Sequence, residues 1–467
     1  MNPPANSTWK KSFLRLVMAV SCFHGAYASV RYPALGLLIF GYAYFLVRLT
    51  DQPTVKRAFY FGLAAGFLCA APQLFFFWTI FGPAAIVLWL VFGFWTALFA
   101  AMACGSLHRW KMKAMWLIPI LWTGVEYFRS ELYYLKFSWL NIGYALQFPI
   151  AGMYGIGFFL FLLVILGSWI RRIQVSLFQL LLITALLAFL LALLLPALAT
   201  SKNRFRRGPM IPIVGVQLEF PPQNLLPRML DQALAKNTNA QIFVLSEYTL
   251  DGGVPDALKD WCRTNSRYLV IGGKDIVTNH IYYNTAFVVS TNGDIVFQQA
   301  KSVPIQFFDD GLPAPQQKVW DSPWGKIGIC ICYDLSYTRV TDELIRQGAQ
   351  LLIVPTMDVS DWGKHQHELH SRVAPVRAAE YGIPIFRLAS SGISQAINSG
   401  GAVVARTPFD KQGEVLFARL PLPSRGALPL DRFLAPACTA IAAVLSAALL
   451  FLAWKDKRTR TKPEPSR

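Results

Sequence analysis

The sequence predicts a multi-pass α-helical membrane bundle that carries an extramembrane α/β domain, and three observations predict it. Of 467 residues, 54% are hydrophobic and only 15% are charged, against about a quarter in ordinary soluble domains. The missing charge is unevenly spread: residues 1–201 are dominated by long apolar runs, whereas residues 208–425 have a soluble domain's mixture. That middle stretch alternates short β-rich runs with amphipathic segments, the rhythm of an α/β domain with buried strands.

A spanning helix needs about 20 mostly apolar residues. Such runs lie near 12–30, 32–50, 58–80, 84–104, 114–130, 150–170 and 174–200, with an eighth near 433–454. No charge interrupts the seventh between Ile173 and Ser201. The fifth is short and carries Glu126 and Arg129, three apart and so within pairing reach on a helix. An internal ion pair bracing the bundle is the expectation there, with a phospholipid headgroup contact as the other reading. The aromatic stretch Phe75 to Trp78 reads as an interfacial belt.

Positive charge orients these runs. With Lys10, Lys11 and Arg15 in the cytoplasm, even-numbered crossings return there at Arg48/Lys56/Arg57, at Arg109/Lys111/Lys113 and at Arg171/Arg172. The basic tail, Lys455 to Lys462, falls on the same side. Seven helices over 1–201 then deliver an α/β domain over 208–425 outside the cytoplasm. A helix over 430–455 brings the chain back, and 456–467 is a basic cytoplasmic tail. No cleavable signal is expected, because the first apolar run lacks a cleavage site.

The α/β domain should hold strands at Ile213–Leu218, Ile242–Ser246, Tyr268–Gly272, Thr285–Ser290, Gly293–Gln298, Lys326–Tyr333 and Leu351–Pro355. Helices are expected at Leu225–Asn237, Asp256–Asn265, Thr338–Gly348 and Lys364–Tyr381. The net charge of +18 could suggest nucleic acid, but it clusters beside apolar runs and in the tail, which argues against that partner. Seven cysteines show no zinc spacing. The stretch from His365 to His370 lacks the His-Glu-x-x-His pattern, because position 371 is Ser. Gly252-Gly253 and Gly272-Gly273 read as turn glycines rather than a phosphate-cradling loop, so no cofactor and no metal is expected.

Three stretches carry chemistry. Val244-Leu245-Ser246-Glu247-Tyr248 ends an apolar strand in a carboxylate. Gln299-Ala300-Lys301-Ser302-Val303-Pro304 follows a strand with a cation. Gly328-Ile329-Cys330-Ile331-Cys332-Tyr333-Asp334 ends a strand in a thiol. Each alone has a bland explanation. Together they sit at C-terminal strand ends, where open α/β sheets place their sites. They also supply a nucleophile, a base and an oxyanion-stabilising cation for thiol-based acyl transfer.

The order Glu247, Lys301, Cys332, closed by Tyr333-Asp334, resembles the carbon-nitrogen hydrolase (nitrilase) superfamily, as does Arg377-Ala378-Ala379-Glu380-Tyr381-Gly382-Ile383-Pro384. Within it, the membrane architecture resembles the apolipoprotein N-acyltransferase family, through Trp122 to Arg129, Phe137 to Tyr144 and Tyr154 to Leu160. The resemblance implies a nitrilase-like αββα sandwich. It further implies that Cys332 takes an acyl chain from a membrane phospholipid as a thioester, which the amine of a diacylglyceryl-cysteine apolipoprotein then attacks. Glu247 would be the general base, Lys301 the oxyanion stabiliser, and Tyr333 (by its N–H) and Asp334 supporting groups. Gln306, Phe307, Phe308, Trp362 and His370 are candidates for substrate contact. A monomer in a bacterial inner membrane, catalytic on the periplasmic side, is implied.

Two departures from the family pattern leave alternatives open. The loop after Lys301 lacks the usual supporting Glu, with Gln306, Asp309 and Asp310 as candidates for its place. Ser390 and Ser391 stand where the family shows Asn. A membrane-tethered amidase, or an acyltransferase with a different amine acceptor, is the alternative reading.

Overall fold

The computed structural model describes residues 5–28, 32–146, 151–170, 208–278, 280–410, 412–423 and 425–460. The expected span at 174–200 and the charges Arg171 and Arg172 lie outside these. The chain divides into two compact units, and the C-terminal helix groups with the N-terminal helices rather than with the middle of the chain.

In the helical unit the elements are α1 (Ala5–Tyr27), α2 (Leu38–Thr50), α3 (Val55–Gln73), α4 (Phe76–Phe81), α5 (Ala84–Trp110), α6 (Ile118–Tyr127), α7 (Ile142–Leu146) and α8 (Met153–Ile170). Among the described residues, Ala84–Leu132, Met153–Ile170 and Asp431–Thr459 are long and apolar enough to cross a membrane, and Ala34–Thr50 is a shorter apolar stretch. The run expected as one helix over 58–80 is two. Pro72 ends α3, and the chain turns at Leu74 and Phe75 before α4. Local polar groups set the other boundaries. Thr54 Oγ1 accepts from the Arg57 N–H at 3.2 Å and starts α3. The Asp431 carboxylate accepts from the Tyr154 N–H at 2.8 Å, joining the chain's last helix to the first turn of α8.

Glu126 and Arg129 do not form the expected ion pair. The Glu126 carboxylate accepts from the Ile142 N–H at 3.1 Å. Arg129 donates to the Phe137 carbonyl at 2.9 Å and to Asn141 Oδ1, and lies 4.1 Å from the Phe92 ring. Both charges thus anchor the non-helical segment 137–142. Its free backbone groups need partners inside an apolar unit, and that demand outweighs pairing along the helix.

The second unit contains β1 (Met210–Val216), α9 (Leu226–Lys236), β2 (Ile242–Val244), α10 (Asp256–Asn265), β3 (Tyr268–Thr278), β4 (Ile281–Val289), β5 (Ile295–Ala300), β6 (Val319–Ser322) and β7 (Gly325–Ile329). It continues with α11 (Thr338–Arg346), β8 (Leu351–Thr356), α12 (Lys364–Ser371), α13 (Val373–Tyr381), β9 (Ile385–Ala389), β10 (Gln395–Ile397), β11 (Val403–Arg406) and β12 (Val415–Pro421). The chain's last helix, α14, spans Asp431–Arg460.

Two six-stranded sheets result, in the orders β12-β1-β2-β3-β4-β5 and β11-β10-β9-β8-β7-β6. Strands β1, β2 and β3 are parallel, as are β7, β8 and β9, and antiparallel strands complete each sheet. The sheets face each other: a Cβ at Gly215 of β1 would come within 2.4 Å of Leu388 in β9. Helices α9 and α10 cover the outer face of the first sheet, burying Leu226, Leu230, Leu258 and Trp261 with Phe243 and Leu269. This unit is the nitrilase-like α/β sandwich, and the other unit is an apolar helical bundle.

Three elements differ from expectation. The strand expected to run to Tyr333 ends at Ile329, so Cys332 stands in a turn rather than on a strand face with Cys330. The helix expected over Lys364–Tyr381 breaks at Arg372 into α12 and α13, because Pro375, lacking an N–H, fits only a first turn. Gly272 and Gly273 lie inside β3 rather than in a turn.

Candidate functional site

Strand ends bring three of the predicted residues into one buried cluster. Lys301 directly follows β5, Glu247 lies three residues beyond β2, and Cys332 three beyond β7. Two of these positions adopt backbone that L residues rarely take. Cys332 has φ +50° and Tyr248, next to Glu247, has φ +53°. Such conformations cost about 1–3 kcal/mol each and persist where the surroundings impose them.

The Lys301 ammonium is fully buried between two carboxylates, 2.8 Å from Glu247 Oε1 and 2.7 Å from Asp310 Oδ2. Asn284, on β4, donates from Nδ2 to both acids, at 2.6 Å to Glu247 and 2.9 Å to Asp310. Asp310 also accepts from the Tyr248 hydroxyl at 2.8 Å and from the Ile305 N–H at 2.7 Å. Of the three candidates for the acid of this loop, Asp310 is therefore the one placed on Lys301. Asp309 is exposed, and only its backbone carbonyl is engaged, by the Tyr282 hydroxyl.

One residue joins acid to thiol. The Met357 N–H donates to Glu247 Oε2 at 2.7 Å, and the Met357 carbonyl accepts from Cys332 Sγ at 3.6 Å. Cys332 is only 2% exposed. Asp334 braces the same corner from beneath: its carboxylate accepts from the N–H groups of Ser302 (3.0 Å), Val303 (2.7 Å) and Ile331 (3.2 Å). The turn bearing the thiol is thereby tied to the loop leaving Lys301.

Burial and neighbouring charge shape the titration of these groups. Burial pushes the Glu247 carboxyl up, with Lys301 opposing and Asp310 adding to the rise. Burial works against the Lys301 ammonium, but Glu247, Asp310 and Cys332 outweigh it and hold the lysine well above its ordinary value. The Cys332 thiol is pushed well up by burial and then by Glu247, with Lys301 opposing. Burial raises Asp334 to about 6. In Asp310, the Lys301 ammonium overcomes burial and depresses the carboxyl. The cluster is a buried lysine between two acids, beside a thiol whose ionisation is opposed by burial and by Glu247.

Residues proposed for substrate contact fall into two groups. Phe307 is 67% exposed with φ +71°, and the exposed Phe308 ring meets Trp362 edge-on at 6.1 Å. Gln306 is half-buried in the same loop, and Tyr333 is buried against Tyr337. His370 is not on this rim. It is buried, with Nδ1 2.7 Å from Asp358 Oδ1, in a network that includes Arg387. That network stands directly behind Met357, and the Asp358 carboxylate is held far below its ordinary range as His370 and Arg387 outweigh burial.

Sequence reasoning did not single out Asn284, Met357 or Asp358, and it read Gly272 as a turn glycine. Each matters through a partner far off in the chain, met by the Asn284 amide, the Met357 backbone, the Asp358 carboxylate or the bare Gly272 Cα. A Cβ on Gly272 would lie 2.6 Å from the Glu247 Cα, so that glycine lets β3 pass beneath the acid.

Comparisons with known proteins agree with both units. A carbon-nitrogen hydrolase family model matches residues 220–429, and a model of the apolipoprotein N-acyltransferase N-terminal domain matches residues 22–166. The deaminated glutathione amidase of Dictyostelium discoideum is 28% identical over 196 residues, 37% of this chain and 66% of the amidase. The apolipoprotein N-acyltransferase of Geobacter metallireducens is 23% identical over 473 residues, 87% of this chain and 89% of that protein. The namesake from Shewanella oneidensis, 23% identical, covers 79% of this chain and 82% of its own length. Among solved structures, an amidase from Nesterenkonia sp. has a TM-score of 0.41 at 20% identity, covering 46% of this chain and 92% of its own. A carbon-nitrogen hydrolase from Helicobacter pylori has a TM-score of 0.40 at 18% identity, covering 51% and 94%.

The sandwich and the matched hydrolase region define a carbon-nitrogen hydrolase of the nitrilase superfamily, attached to an apolar helical bundle. Within that superfamily the chain belongs to the apolipoprotein N-acyltransferase family.

Proposed function

We propose that the protein moves an acyl chain from a membrane phospholipid, through a thioester on Cys332, to the N-terminal amine of a diacylglyceryl-cysteine apolipoprotein. The observation that carries this reading is the backbone of Met357, whose N–H holds Glu247 and whose carbonyl holds the Cys332 thiol. The family relatives support a lipoprotein acceptor in a membrane setting.

In the first half-reaction Glu247 takes the thiol proton as sulfur attacks the ester carbonyl. The Lys301 ammonium and the Tyr333 N–H stabilise the tetrahedral oxyanion. Collapse breaks the ester C–O bond, and the leaving alkoxide takes its proton from Glu247, releasing lysophospholipid. In the second half the acceptor amine attacks the thioester and passes a proton to Glu247. The C–S bond breaks, and that proton returns to sulfur. Asp310 keeps Lys301 charged and in place throughout. Deprotonating a thiol held so far above its ordinary value requires a base in contact. It also delays ionisation until a substrate carbonyl is present.

A catalytic unit on the periplasmic side of a bacterial inner membrane is part of this reading, and the basic residues flanking the apolar runs support it. The purified protein, given a phospholipid with a fluorescent acyl chain, should form a hydroxylamine-sensitive adduct at Cys332 and release lysophospholipid. A diacylglyceryl-cysteine peptide should then discharge the adduct as an amide. Undiminished transfer by Cys332→Ser would overturn the mechanism. Ammonia release from small amides, with no lysophospholipid, would assign the chain to the amidase alternative.

A further inference from the structure

A second feature lies wholly within the helical unit and takes no part in this chemistry. Residues of α5 and α14, with the first residue of α3, line a groove of about 490 Å³. Its walls are apolar, built from Leu98, Ala101, Met102, Leu449, Leu452 and Ala453. Gly105 forms the floor, where a Cβ would touch Leu449 at 3.6 Å. Ser446 does not offer its hydroxyl to the groove, because Oγ donates to the Ala442 carbonyl at 2.7 Å.

The mouth of the groove is basic. Arg109 lines it, Lys111 and Lys113 follow Arg109 in sequence, and Lys455, Lys457 and Arg458 flank the lining residue Asp456 in sequence. Asp456 is the acid among the lining residues, paired with Arg109 at 2.9 Å while both remain partly exposed. The Arg458 guanidinium lies 4.0 Å from the Trp454 ring, and Trp110 and Trp454, next in sequence to the lining residues Arg109 and Ala453, are exposed. An apolar slot that opens onto cations and indole rings has the chemistry of a lipid in a bilayer: an acyl chain below and a phosphate above.

We infer that the α5–α14 groove binds an anionic phospholipid, its acyl chain between the helices and its phosphate among Arg109, Lys111, Lys113 and the α14 cations. Charge complementarity selects this occupant. A zwitterionic lipid would fill the slot equally well but would gain less from cations that outnumber the acids near them. The site serves retention of the lipid, not its chemistry, and it stands whether or not Cys332 accepts acyl chains.

Native mass spectrometry of the detergent-solubilised full chain tests it, with phosphatidylglycerol or phosphatidylcholine of identical chains added. Phosphatidylglycerol should be retained about tenfold more strongly, and the triple variant Arg109→Gln/Lys111→Gln/Lys113→Gln should abolish that preference. Gly105→Leu, which fills the floor, should lower retention of both lipids. Asp456→Asn removes the one acid and should strengthen phosphatidylglycerol retention, a gain that misfolding cannot imitate. Lys10→Gln/Lys11→Gln, a loss of two charges on α1, should change nothing. Equal retention of the two lipids, no gain in Asp456→Asn, or the same loss in the α1 variant overturns the site.

Discussion

Asp310 Oδ2 lies 2.7 Å from Lys301 Nζ, with both side chains buried, so the ammonium never stands against a single carboxylate. This pair fills the place that the loop's unusual sequence left open. Removing one partner of a buried pair costs about 3–5 kcal/mol, so Asp310→Ala should melt measurably lower. Asp310→Asn should slow Cys332 acylation on the order of 100-fold through a displaced lysine, with Asp310→Glu restoring part of the rate. Because Asp310 raises the Glu247 carboxyl, its neutralisation should also move the acid limb of the acylation profile to lower pH. A purely structural role would leave that limb in place.

Gly272 and Gly253 offer a paired test of packing beneath the acid. A Cβ at Gly272 meets the Glu247 backbone at 2.6 Å, whereas one at Gly253 meets nothing within 4 Å. Gly272→Ala should cost about 1–3 kcal/mol of stability and most of the acylation rate. Gly253→Ala should change neither. Thermal melts and adduct formation on the same preparations check both, and equal effects would refute the close approach.

Asp334 gives a stability dependence with a definite sign. Its carboxyl is raised from 3.8 to about 6 by burial, so the folded state holds this proton more tightly than the unfolded chain. The associated stability is fully present below the unfolded value and is lost as pH rises through about 6. The stability advantage of the native protein over Asp334→Asn should therefore shrink between pH 4 and 7. Melting curves at closely spaced pH would show it, and an advantage that grows with pH would contradict it.

Behind Met357, Asp358 bonds His370 and Arg387, all buried. Asp358→Asn should leave the Arg387 cation without its counter-charge and destabilise by about 3–5 kcal/mol. His370→Asn, which keeps a donor, should cost less and should slow acylation by tilting the Met357 peptide. It should leave apparent donor affinity unchanged, because His370 lies away from the exposed Phe307 rim. A rise in KM with kcat intact would instead place His370 at the substrate.

The division into an apolar bundle and an α/β sandwich was legible from the residues, because apolar run length and strand–helix alternation are local properties of the chain. Strand ends were readable by periodicity as well, and Glu247, Lys301 and Cys332 each follow one within three residues. The strands over 385–406 were not read, because β9, β10 and β11 are only three to five residues long and gain their identity from pairing in series, β9 on β8, β10 on β9 and β11 on β10. The helix break at Arg372 needed only closer attention to Pro375.

Other features depended on contacts between distant residues. Asp310 was chosen over Gln306 and Asp309 by the fold of one loop, which turns a single carboxylate onto Lys301. Glu126 and Arg129 parted because residues 137–142, beyond the end of their helix, claimed both. Met357 acquired its place through two backbone atoms that any residue carries. Local pattern marked which groups could react. Three-dimensional packing determined which partners each would meet, since burial makes every polar group depend on whatever the fold sets beside it.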